Sequence, residues 1–453
     1  MKITFKTTES CTENAVNADH VYGGLTETDF ADILKNELDM ALGCTEPIAI
    51  AYCAAEARRL LGETPDQCEI EVSGNIIKNA KSVVVPGTDG MKGIPAAAAA
   101  GIAAGDASLR LEVISGINEQ DRMDIRDFLS HTPITVSASK NSEKLYIRII
   151  LSAGNNSSEV RIARTHTNII FEKKNNDVLL DTGFIPGNED TCGSSGSIAS
   201  KKAMLTISNI LDFAQNTDLS LVRDTLTRQI ECNSAIANEG IKNNWGANIG
   251  STMLATGGNT VRNRAQAYAA AGSDARMSGC ELPVVINSGS GNQGITVTMP
   301  VITYANELGV SEDTMLRALL ISNLISVHIK YGIGALSAFC GAVSAGCAAG
   351  CGIAFLYGAD YKTISETLSN SLAIASGIIC DGAKPSCAAK IALSVNAGIM
   401  GFEMCQYGQK FHGGDGILDS DIENTIGNVS DIGSEGMRAT DQEILKIMTH
   451  TDR

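Results

Sequence analysis

At 453 residues the chain exceeds the roughly 250–300 residues that one hydrophobic core usually serves, so two packed units are expected. It carries 51 Asp and Glu against 35 Lys and Arg, a formal charge of -16, and no basic run; nucleic acid and anionic membranes are poor partners for such a surface. Met1 to Ala18 is polar, and no later apolar stretch of about 20 residues is free of Gly and polar breaks, so the expectation is a soluble, cytoplasmic protein.

Residues 1–25 show no period and are expected to be flexible. From Thr26 to Leu61, Phe30, Ile33, Leu34, Leu38 and Leu42, then Ile48, Ala51, Tyr52 and Ala55, keep helical spacing on either side of Gly43-Cys-Thr-Glu-Pro47. Pro47 suits a first helical turn, which predicts two helices joined at that break. Between Cys68 and about Leu180 the texture changes to short β-branched runs: Glu69–Ser73, Ser82–Pro86, Ile134–Ala138, Leu145–Ile150 and Glu159–Arg164. Several alternate apolar with polar, as half-buried antiparallel strands do, and an Ala-rich helix over Ile94–Ala104 interrupts them.

Gly183–Ser197, dense in Gly, Ser, Asn and Asp, reads as a linker. Beyond it, Ala-rich periodic stretches predict helices at 265–271, 299–306, 311–326, 334–356 and 364–375, with small residues where they touch. The expected fold is α+β: a mixed unit with antiparallel strands over 26–185, then an α-helical unit over 186–453 that carries the cysteine site.

Five of the 13 cysteines fall between Cys340 and Cys387. In a chain without an export signal, that crowding suggests a metal or catalysis more than disulfides. Cys380-Asp-Gly-Ala-Lys-Pro-Ser-Cys387 puts two thiols across a Gly/Pro turn that lets both face one point. Cys340, Cys347 and Cys351 could each supply a third, the last two being an i, i+4 pair on a helix. Three thiolates suit a [4Fe-4S] cluster with one iron open to a ligand, and spacing alone leaves zinc open as well.

Two further motifs carry chemistry. Asn287-Ser-Gly-Ser-Gly-Asn-Gln-Gly294 follows a strand-like Leu282–Ile286, and such a bend turns backbone N–H groups toward a carboxylate or phosphate; Asn287, Ser288, Gly289, Ser290, Gly291 and Asn292 are its candidate substrate-binding residues. It lacks the Gly-Lys-Ser/Thr end of a Walker loop and the dinucleotide glycine spacing. Cys44, Thr45 and Glu46 stand at a helix start, where free amides and the dipole favour an anion or a thiolate. Cys44 is read as a proton acceptor or nucleophile, with Thr45 and Glu46 beside the substrate. Lys92 and His328 are more readily a solvated lysine and a core histidine than catalytic groups. No lysine is marked for a Schiff base beside a phosphate cup.

Together, Gly43–Pro47, Gly90-Met-Lys-Gly-Ile-Pro95, Asn287–Gly294, Leu336-Ser-Ala-Phe-Cys-Gly341 and Cys380–Cys387 resemble the L-cysteine desulfidase family, which is related to the α-chain of iron-sulfur L-serine dehydratases. The likeness runs from about residue 30 to the C-terminus. It implies a [4Fe-4S] enzyme that splits the small amino acid L-cysteine into sulfide, ammonia and pyruvate without pyridoxal phosphate. The family's cluster cysteines would fall on Cys340, Cys380 and Cys387 and its further functional cysteine on Cys44. A serine-dehydratase-like Gly-Cys pattern also matches Gly346-Cys347, but the Leu-Ser-Ala-x-Cys-Gly context favours Cys340. Serine dehydratases typically carry Ser-Ser-His-Thr where this chain has Gly43-Cys44-Thr45, and a thiol in place of that histidine favours a sulfur substrate. The alternatives are a serine dehydratase and a non-catalytic redox sensor carrying the cluster. A homo-oligomer stays open.

Overall fold

The computed structural model describes residues 20–186, 197–334 and 336–449. The expected flexible start falls mostly on 1–19, and the expected linker mostly on 187–196, both outside the described residues. The fold is α+β, with the strands concentrated before residue 186 and helices dominating after 197.

Thr26 opens the Glu27–Glu37 helix through a reciprocal cap: its hydroxyl accepts from Asp29 N at 3.1 Å, and its own N–H donates to the Asp29 carboxylate at 2.9 Å. A short strand, Met40–Leu42, separates it from the Thr45–Leu61 helix, which stops at Gly62 in the left-handed conformation. The break between the two helices is therefore a strand and a turn that ends at Cys44, and Thr45–Pro47 already form the first turn of the second helix. A six-stranded sheet follows in the spatial order Ile134–Ala138, Gln67–Val72, Tyr146–Ala153, Asn156–Ala163, Ile169–Lys174, Asp177–Asp181. The first pair is parallel and the others antiparallel. Alternation holds on the central strands, where Ile147, Ile149, Leu151, Val160 and Ile162 are buried against the Thr45–Leu61 helix.

Ser82–Pro86 is not a strand. Its polar backbone is satisfied locally, Val85 N donating to Met91 O and Gly93 N to Val83 O, and a tight turn with Gly87, Asp89 and Gly90 at positive φ closes it, so it forms a buried loop with a single bridge between Val84 and Lys92. The helix expected from 334 begins only at Gly341, because the preceding residues pair with another segment instead.

Small residues set the helix contacts. A Cβ on Gly101 would stand 2.1 Å from Ala51 O, so the Thr45–Leu61 and Gly93–Ala104 helices touch backbone to backbone. The same device joins the Gly341–Leu356 and Ser386–Gln406 helices, where a Cβ on Gly398 would stand 2.1 Å from Gly346 O and one on Gly350 2.4 Å from Gly398 O. The buried apolar side chains of the sheet, its covering helices and the C-terminal helices form one continuous cluster. Among the described residues no helix is long and apolar enough to cross a membrane.

Candidate active site

Three backbone pairings bring the motifs together. Met40–Leu42 pairs antiparallel with Pro283–Val285, Leu42 facing Pro283, and Ile286 N donates to Asp39 O at 2.9 Å. That small sheet sets Cys44, two residues past its end, beside the Asn287–Ser290 bend. Gly43 permits the turn because its φ is +66° and a Cβ there would meet Pro86 Cγ at 2.3 Å. The second pairing joins 338–340 to 378–380: Cys340 N donates to Ile378 O at 3.1 Å and Cys380 N to Ala338 O at 2.7 Å, which puts Cys340 and Cys380 side by side. The third is the glycine crossing described above, which brings the helix starting after Cys340 against the helix starting at Ser386, just before Cys387.

The result is a cavity of about 100 Å³ lined by Cys44, Thr45, Glu46, Ser288, Gly289, Ser290, Asn292, Cys340, Cys380 and Cys387. Asn287 and Gly291 do not line it. Asn287 is fully buried and donates to the Asn323 backbone and side-chain oxygens at 3.2 and 3.0 Å, anchoring the bend from behind; Ser288, at φ +50°, donates to Asn287 Oδ1 at 3.0 Å. Cys347 and Cys351 are buried within the helix and stand away from the cavity. Lys92 is exposed, and His328 pairs with Glu423 at 2.7 Å elsewhere. A second chamber of about 240 Å³ shares His166, Ser288, Gly289 and Lys330 with the first and is lined also by Glu37, Asp39 and Tyr331.

Four polar or charged cavity residues lie outside the sequence motifs, Asn79, His166, Arg276 and Lys330, and Gln293 lies in the Asn287–Gly294 motif without having been given a role. His166, 7% exposed, packs its ring on the Gly289 backbone, and its Nε2 has no hydrogen-bond partner, lying 3.8 Å from Glu46 Oε1. Glu46 accepts from Asn79 Nδ2 at 2.9 Å and from Thr45 Oγ1 at 3.1 Å. Burial pushes the Glu46 carboxyl up, but His166, its own backbone N–H and Arg276 more than offset it and hold it at about 2. Lys330, also buried, donates to Gly334 O, and desolvation brings its ammonium down to about 8. The one sequence signal for Arg276 is its setting, a charge directly after the Ala-rich run Ala265–Ala275.

The cysteines among the described residues are free thiols. Cys340 donates to Cys380; that bond holds the Cys380 thiol down, helped by the facing Lys78 and Lys330 ammonium groups, and together with burial it pushes Cys340 up. Burial pushes Cys387 up, and its Sγ lies 3.6 Å from Gly382 O. Asp381 holds Lys384 and Lys390, tying down the loop between Cys380 and Cys387. Cys44 is different. It sits among Val83, Met277 and Cys387 with its Sγ 3.5 Å from Met277 Sδ, and desolvation carries its thiol up to about 12, so the thiolate expected at a helix start is outweighed by burial.

Residues 108–446 match the family described as serine dehydratase alpha chain, and the chain belongs to that family. A UPF0597 protein of Desulfitobacterium hafniense is 52% identical over 419 residues, 92% of this chain and 96% of its own length. UPF0597 proteins of Lachnoclostridium phytofermentans and Bacteroides thetaiotaomicron are 49% and 37% identical, each match covering 92% of this chain and 98% and 97% of theirs.

Proposed function

We propose that this chain is an iron-sulfur lyase that eliminates sulfide from L-cysteine. The observation that carries the reading is the convergence of Cys340, Cys380 and Cys387 on one cavity with Cys44 and the Ser288–Asn292 bend. Membership of the serine dehydratase alpha chain family supports the lyase class, and the thiol at Cys44 supports a sulfur substrate.

The donor set suits a cluster. Among the described residues no three His, Cys, Asp or Glu side chains are grouped to grip a single ion. A cluster takes each thiolate on its own iron, so its ligands stand further apart than those of one zinc. The buried cations Lys78 and Lys330 beside the thiols favour the thiolate form that ligation requires. Cys340, Cys380 and Cys387 would hold the group. When bound, it supplies an iron with an open position, a Lewis acid toward sulfur or oxygen.

The residues of the chain do the rest. The Ser288–Asn292 bend turns N–H groups to the substrate carboxylate and fixes the Cα–H bond relative to His166. His166 Nε2, unpartnered and backed by the Glu46 carboxylate, takes the Cα proton. The Cα–H electron pair becomes the Cα–Cβ double bond, the Cβ–S pair leaves with sulfur, and the neutral thiol of Cys44 delivers a proton to it, to be restored from solvent. The products at the site are aminoacrylate and hydrogen sulfide; aminoacrylate tautomerises and takes up water to give pyruvate and ammonia unaided.

Family membership favours one second reading, elimination of water from L-serine by the same residues. Kinetics with both amino acids on anaerobically reconstituted protein separate them: kcat/KM higher for L-cysteine supports the proposal, and pyruvate from L-serine alone replaces it.

A further inference from the structure

Arg276 lies in the last turn of the Val261–Met277 helix, 3% exposed, in the cavity wall. Its Nε has no hydrogen-bond partner, and it forms no ion pair among the described residues. A buried guanidinium with no anion in contact is costly, so the site calls for a contacting anion that the described residues do not provide. Glu46 feels the Arg276 charge only through space, its oxygens being engaged by Asn79 and Thr45 and its nearest charged neighbour being His166.

The guanidinium lies against the start of the Gly291–Leu308 helix. A Cβ on Gly291 would stand 2.3 Å from Arg276 Nε and 2.8 Å from Cζ, so glycine is what lets the charge reach the helix end. Ser290, the N-cap, makes no side-chain cap bond, which leaves first-turn amides directed at the same place. Two more buried acceptors there, Asn292 Oδ1 and Gln293 Oε1, also lack partners. Orphaned groups of both kinds at one spot mark a site whose complement is a ligand.

We infer that Arg276 and the amino end of the Gly291–Leu308 helix together bind the α-carboxylate of the substrate, Arg276 supplying the charge that an otherwise acidic protein cannot supply at long range. The inference rests on the reading above only in taking the ligand as a 2-amino acid.

L-Alanine has the carboxylate and ammonium but no leaving group, so it binds without reacting. Calorimetry on anaerobic full-length protein should show L-alanine binding far more tightly than L-alaninamide. Arg276→Gln should weaken L-alanine binding roughly 10- to 100-fold, the loss of one charge-assisted contact, and leave L-alaninamide unchanged; Arg276→Lys should recover part of the loss. Equal binding of acid and amide by the unaltered protein overturns the assignment even if the variants fail to fold. So does unchanged L-alanine binding in a folded Arg276→Gln. Carboxylate-selective binding without release of sulfide or pyruvate upholds the clamp and ends the lyase reading; sulfide release with Arg276→Gln binding L-alanine normally does the reverse.

Discussion

Gly382 is the sharpest place to test whether the Cys380–Cys387 loop is built to hold its two thiols at a fixed position. Its φ is +97°, and a Cβ there would stand 2.4 Å from Lys78 O and 3.2 Å from the Lys78 carbonyl carbon, both backbone atoms that cannot swing aside. Gly382→Ala adds a strained φ, about 1–3 kcal/mol, and an overpacked contact, about 1–3 kcal/mol. The loop can relieve both by lifting off the Gly74–Ala80 helix, and doing so moves Cys380 and Cys387 relative to Cys340. Gly358→Ala is the control, since its φ is +78° but nothing lies within 4 Å, leaving only the φ cost. Iron per chain after anaerobic reconstitution, read beside thermal unfolding by circular dichroism, should fall clearly in Gly382→Ala and stay at the unaltered level in Gly358→Ala. Full iron and an unchanged midpoint in Gly382→Ala would refute the geometry.

Cys44→Ser should lower turnover on the order of 10²-fold or more while iron content is kept; loss of iron would make Cys44 a ligand. Glu46 has a folded value of about 2 against an ordinary 4.5, so it stabilises the fold above about pH 4.5 by on the order of 3 kcal/mol, and that contribution drains away as pH falls toward 2. Urea unfolding of Glu46→Gln should accordingly show a flatter loss of stability over that acid range, and parallel curves would contradict the shift. Asp441 pairs with Lys78, whose side chain is 1% exposed, so Asp441→Ala should cost about 3 kcal/mol in chemical denaturation by stranding the buried charge, whereas Lys78→Met with Asp441→Leu should restore much of it.

The parts of the site legible in the sequence are those on turns. Gly43–Pro47, Asn287–Gly294 and Cys380–Cys387 combine glycines with reactive side chains in short stretches, and a turn that needs positive φ beside a thiol or hydroxyl is visible without knowing its neighbours. The strands with clean alternation, such as Tyr146–Ala153, were legible for the same local reason. Ser82–Pro86 misleads because β-branched residues are buried there in a loop whose amides bond across one turn, and composition does not distinguish the two. His166, Arg276 and Lys330 stayed hidden because each is one polar residue in an otherwise ordinary segment; burial at the cavity, with an unpartnered nitrogen on His166 and Arg276, is a property of the assembled fold and is what singles them out. The choice between Cys340 and Cys347 also turned on context, since both precede or follow glycines, and only the pairing of 338–340 with 378–380 puts one of them at the cavity.

The most direct test of the central reading follows sulfide and pyruvate in one anaerobic reaction with L-cysteine, before and after reconstitution with iron and sulfide, alongside Cys380→Ala and Cys347→Ala. Equal amounts of both products, only after reconstitution, absent from Cys380→Ala and retained by Cys347→Ala, are expected. Neither product from protein carrying its full iron would contradict the assignment of a lyase to this cavity.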